Sequence, residues 1–100
     1  MDAWIIDEAE AEIILRKGTE ILSRLIKKYG RKGAKKFVNA LVDTRKTRKK
    51  RKTKIDGKKI TFKPVIGGIL ATDSDGAQYF SEDEIYSVAL VIAELEKEKE

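Results

Sequence analysis

The chain has 100 residues, 41% apolar and 39% charged, which is the composition of one compact domain near the lower size limit for a fold held by its core alone. Cysteine and histidine are both absent, which removes disulfides, thiolate and imidazole metal ligands, cysteine nucleophiles and the commonest general base. The net charge of +5 is segregated, with −3 on residues 1–26, +15 on residues 27–63 and −7 on residues 64–100, so one strongly positive region should attract phosphate polymers over about a Debye length.

Taken in chain order, the pattern predicts three N-terminal helices. Asp2 can cap the first, whose inner side would carry Trp4, Ile5, Ala9, Ile13 and Ile14 or Leu15, and Arg16-Lys17-Gly18 is a stop signal. The triple apolar run 13–15 is also compatible with a strand. Thr19 can cap a second helix with Ile21, Leu22, Leu25, Ile26 and Tyr29 at helical spacing, ending at Gly30. A third helix starts at Arg31 or Lys32 and turns Ala34, Phe37, Val38, Leu41 and Val42 inward, leaving Lys32, Lys35, Lys36 and Asn39 outside. Joined by a glycine-bearing turn, the second and third helices have the form of a helix-turn-helix unit, and asparagine can read adenine in a major groove. The bland reading, two amphipathic helices that touch no nucleic acid, describes the same spacing.

The run RKTRKKRKTK, residues 45–54, holds eight basic residues and no acidic one. Its second half leads into Asp56-Gly57, a hairpin signal between alternating residues. A two-residue type I′ turn pairs Ile55 with Lys58, Lys54 with Lys59, Thr53 with Ile60, Lys52 with Thr61 and Arg51 with Phe62. That register puts Ile55, Ile60 and Phe62 on one face and Lys52, Lys54, Lys59 and Lys63 on the other. Pro64 ends or edges the strand. VIGGILA, residues 65–71, reads as one buried strand with a bulge or close backbone approach at Gly67-Gly68, and AQYF returns after TDSDG as a second hairpin. Ser81 and Glu84 form a capping box opening a helix through about Glu98. This last helix is apolar on two sides, Ile85, Val88, Ala89, Ile92 and Leu95 forming one stripe and Tyr86, Leu90 and Ala93 a second. The second stripe predicts either full enclosure or a homodimer interface.

DSDGAQYFSEDE, residues 73–84, resembles a calcium-binding EF-hand loop at Asp73, Asp75, Phe80, Ser81 and Glu84, but Ala77 replaces a ligand and Gln78 the obligatory glycine. A polar turn running into a capped helix explains the same residues without a metal. No phosphate-binding glycine loop, nucleophile elbow or paired-acid cleft is visible, so the expectation is a non-enzymatic protein with no cofactor and no metal.

The elements add up to an α+β fold of three N-terminal helices, a small antiparallel sheet of two hairpins and one long C-terminal helix. It is a single domain over 1–100, with 1–63 as helix-turn-helix plus basic hairpin and 64–100 as second hairpin plus helix. The first six elements follow the order of a winged-helix domain. The function expected is DNA binding of regulatory or architectural type. The contacts fall to Arg31, Lys32, Lys35, Lys36 and Asn39 on the third helix, to Arg45, Lys46, Arg48, Lys49 and Lys50 after it, and to Arg51, Lys52, Lys54, Lys58 and Lys59 in the hairpin, with dimerisation through Tyr86, Leu90 and Ala93. The partner would be duplex DNA or structured RNA. Stacking aromatics are scarce, with Phe62 inward and Tyr79 and Phe80 in the acidic third, so a duplex or structured partner is expected over a single strand. The alternatives are an RNA-binding or ribosome-associated protein that docks on folded RNA, and a protein-interaction or self-associating module that binds an acidic partner. No apolar run reaches membrane-spanning length and the N-terminus is acidic where a signal peptide is basic, so a cytoplasmic location is expected. Sixteen lysines and ten glutamates against the lone amides Asn39 and Gln78 give a thermophile-like composition.

Overall fold

In a computed structural model that describes residues 8–98, the chain runs α1 (Glu8–Thr47), β1 (Arg51–Ile55), β2 (Lys58–Val65), β3 (Gly68–Asp73), β4 (Gly76–Ser81) and α2 (Glu82–Glu98). The expected cap Asp2 and the apolar Trp4 and Ile5 lie outside the described residues. No described helix is long and apolar enough to cross a membrane.

The α+β class holds, but α1 fills the stretch expected to contain three helices. Gly18 does not end a helix. It is buried within one because α2 crosses there: a Cβ on Gly18 would run into the Ser87 carbonyl oxygen and stand 2.6 Å from Val91 Cγ2. Thr19 accordingly caps nothing, and its hydroxyl donates back to the Leu15 carbonyl at 2.7 Å. Of the residues expected to face inward, Ala9, Ile13 and Leu15 are exposed, and Ile14, the alternative to Leu15, is half-buried. A break does fall at Gly30, whose φ of 78° and ψ of 173° are open to glycine and costly to any residue with a Cβ. The expected second and third helices therefore meet at the expected glycine, and it is the first and second that run together as one arm. The second arm buries Ala34, Phe37, Val38 and Leu41 as its spacing predicts.

The four strands form an antiparallel meander in the order β1-β2-β3-β4. The β1–β2 register is the expected one, pair for pair from Arg51↔Phe62 to Ile55↔Lys58. Asp56 and Gly57 both have positive φ, at 50° and 76°, as a type I′ turn requires. The two expected hairpins are not separate, however. VIGGILA does not form one strand, because Ile66 and Gly67, its second and third residues, make a turn and β2 folds back on β3 with Phe62 opposite Ala71 and Pro64 opposite Ile69. The expected close approach is met at Gly68, where a Cβ would collide with the Phe80 carbonyl oxygen.

Side chains alternate across a sheet, so the register sorts its two faces. Ile55, Ile60, Phe62, Ile69, Ala71 and Phe80 share the inner face and are buried under both helices. Phe37 in α1 is the centre of this core, with its ring 5.2 Å from Tyr29, 5.0 Å from Phe62 and 5.5 Å from Phe80. The expected capping box is present in both directions: the Ser81 amide donates to Glu84 Oε1 at 2.9 Å and the Glu84 amide to Ser81 Oγ at 3.2 Å. Of the two stripes on α2, Ile85, Val88 and Ile92 are buried and Leu95 is exposed. Full enclosure is not observed, since Tyr86 and Ala93 face solvent and Leu90 is half-buried.

Candidate nucleic-acid interface

The outer face of the sheet is covered by neither helix. Its alternation is set by inward Ile55, Ile60, Phe62 and Phe80, which force their neighbours outward. Lys52 and Lys54 therefore project from β1, Lys59, Thr61 and Lys63 from β2, Leu70 and Thr72 from β3, and Ala77 and Tyr79 from β4. Among the described residues, no acidic one occupies an outward strand position. Lys52, Lys54, Lys59 and Lys63 are exposed, and none has an ion pair among the described residues. Lys54 stands directly opposite Lys59, a like-charge pair that costs up to about 1 kcal/mol until an anion bridges it.

The sequence-predicted residues divide into three exposed groups and a fourth set already engaged. Lys52, Lys54 and Lys59 lie together on the open face, joined by Lys63. Lys46, Arg48, Lys49 and Lys50 are exposed at the exit of α1, an ordered exit in which Arg48 takes a left-handed conformation (φ 55°) and its amide bonds to the Thr44 carbonyl at 2.8 Å as a helix cap. Arg31, Lys32, Lys36 and Asn39 are exposed on the helix layer, and the first three border a cleft with Asp56 of the β1–β2 turn. Other cations are already engaged. Lys35 pairs with Glu96 at 3.1 Å, Arg45 with Glu82 at 3.2 Å and Arg51 with Asp43 at 3.3 Å. Lys58 points to the inner side, with its Nζ 5.5 Å from the Tyr29 ring centroid.

The acidic third of the sequence is thus not an acidic patch beside the lysines. Asp73, expected in a turn, has a nearly buried carboxylate (4% exposed) that meets Lys28 Nζ at 2.8 Å and accepts from the Tyr29 hydroxyl at 2.6 Å. It also accepts the Asp75 amide at 2.8 Å, closing the β3–β4 turn. The bonds from Lys28 and Tyr29 hold the Asp73 carboxyl well below its usual range, at about 2. Burial, then the bond to Asp73, push the Tyr29 phenol up to about 12, and the bond to Asp73 raises Lys28. This cluster ties the first arm of α1 to the far end of the sheet, and its bonds account for Asp73 without a cation.

Sequence reasoning missed Tyr79 and Leu70. The alternation in GAQYFS already sends Tyr79 away from Phe80, but only the β2–β3 pairing places it on the same face as the lysines. Lys63, Leu70 and Tyr79 form one cross-strand row, and Lys52, Thr61, Thr72 and Ala77 the next. None of the family models, curated proteins or solved structures compared with the chain matches it.

Proposed function

We propose that this chain is a non-enzymatic nucleic-acid-binding protein that grips phosphates with the open face of its sheet. The observation that carries this reading is a preformed face with four exposed lysines and, among the described residues, no acid at an outward strand position and no ion pair to break. Phosphate contacts of this kind position a chain without reading sequence. The expected arrangement of a groove helix beside a basic wing finds support in its hairpin half alone, because Lys32, Lys36 and Asn39 sit on the helix layer and Lys35 is spent on Glu96. Binding of an acidic protein, or of a neighbouring copy's C-terminal segment, is the weaker reading. Asp73, Asp75, Glu82 and Glu96 of that segment are already paired within the chain to Lys28, Arg45 and Lys35. The exposed Tyr86 and Ala93 with half-buried Leu90 remain the surface through which we propose dimerisation, which light scattering across concentration tests.

The test of function is a titration by fluorescence anisotropy against DNA, RNA and an acidic polypeptide at several salt concentrations. Four neutralised phosphates give a slope of log affinity on log salt of roughly −3 to −4. Lys52/Lys54/Lys59/Lys63→Ala should lose most of the affinity, and Lys32/Lys36→Ala little of it. Failure of every nucleic acid to bind at low salt overturns the reading.

A further inference from the structure

The open face carries more than charge. Tyr79 is 48% exposed, and its hydroxyl makes no hydrogen bond among the described residues. The phenol reaches toward the β2–β3 turn, where a Cβ on Gly67 would stand 3.1 Å from its oxygen. The ring therefore extends along the sheet rather than away from it, over a position where Gly67 and Gly68 offer no side chain. Half-buried Leu70 is its cross-strand neighbour and Lys63 is the next residue in the row. At about 4.8 Å per strand, an aromatic ring, an aliphatic shelf and a cation stand in line within about 10 Å.

A duplex hides the faces of its bases and would use only the lysines. An unpaired strand has π-faces as well as phosphates, and aromatic side chains on a basic surface bind it by stacking. The adjacent row supplies Thr61 opposite Thr72, two hydroxyls between the lysine edge and the tyrosine edge with no side-chain hydrogen bond among the described residues. Such groups both donate and accept, which is what a ribose 2′-hydroxyl needs and a deoxyribose cannot use.

We infer that this face binds single-stranded RNA, with one base stacked on Tyr79 beside Leu70 and the flanking phosphates on the lysines. The inference rests on the phosphate-binding reading above and adds its substrate class. The face that looked poor in stacking groups along the sequence acquires one by strand pairing.

Anisotropy titrations of the full chain with an unstructured RNA oligonucleotide, the same sequence as single-stranded DNA, and the RNA duplex test it. The single-stranded RNA should bind tightest. Tyr79→Ala should weaken it about tenfold, and Tyr79→Phe should bind within about twofold of wild type. With 2-aminopurine in the RNA, wild type should quench the base fluorescence on binding and Tyr79→Ala should not. Circular dichroism checks that each variant is folded. Equal or tighter binding of the duplex or the DNA strand overturns the inference, as does a Tyr79→Ala variant that binds like wild type while the four-lysine variant does not. If the four-lysine variant also binds like wild type, the phosphate-binding reading itself fails.

Discussion

Asp73 shows how much one side chain can carry in a small domain. Its carboxylate is removed from water and satisfied by a lysine, a phenol and a backbone amide, and charge-assisted bonds of this kind are the strong ones. Asp73→Asn should cost about 2–3 kcal/mol in urea unfolding. The sign of the pH dependence follows from the lowered pKa. The unfolded chain binds a proton near the ordinary carboxylate value and the folded chain only near about 2, so Asp73's contribution is present above about pH 4 and is lost as pH falls toward 2. Unfolding midpoints measured from pH 5 to pH 2 should fall more steeply for wild type than for Asp73→Asn. Tyr29 acts at the other extreme: its raised pKa adds stability that persists below about pH 10 and is lost between there and about 12. Thr44 is the opposite case, fully buried with a hydroxyl that has no hydrogen-bond partner among the described residues. Thr44→Val keeps the shape and removes an unsatisfied polar group, so it should raise stability by about 1 kcal/mol in the same assay.

Among the elements, α1 and α2 depend on each other through a single missing side chain. Glycine inside a helix costs about 1 kcal/mol relative to alanine, and by propensity alone Gly18→Ala should stabilise α1. The crossing decides otherwise, because the added methyl meets backbone of α2, which cannot rotate away as a side chain could. Gly18→Ala should therefore destabilise by about 1–3 kcal/mol, visible as a lower thermal midpoint. The reverse outcome would mean that the helices slide apart at little cost. The strands show a different dependence. The β1–β2 hairpin was legible to the residue because an Asp-Gly turn fixes register locally, and alternation then fixes the faces. The β2–β3 turn was not, because Ile66-Gly67 sits inside an unbroken apolar run whose pattern suits one buried strand equally well. The capping box at Ser81 and Glu84 was legible for the same reason as the hairpin: both partners lie within one turn of each other.

Over the whole molecule, the helices cover one face of the sheet and leave the other to four lysines with no ion pair among the described residues, so like charges crowd that surface with no acid between them. Self-repulsion there should be relieved by screening. The thermal midpoint of wild type should rise as salt is added from low ionic strength, and should depend less on salt in Lys54/Lys59→Ala. An RNA that binds only the folded chain should raise the midpoint further, in proportion to the logarithm of its concentration over Kd. What the sequence by itself determined was local: the α+β class, the inner faces of the second arm of α1 and of the β1–β2 hairpin, the capping box, and the concentration of cations at 45–63. These follow from periodicity, turn chemistry and charge counted over a few residues. What only the tertiary structure decided was which distant residues share a surface. Gly18 became a crossing point because α2 lies there, Asp73 became buried because Lys28 and Tyr29 reach it, and Tyr79 joined the lysines because β3 bridges the strands that bear them. Each outcome depends on pairing between segments far apart in the chain, and a residue's nearest sequence neighbours carry no record of it.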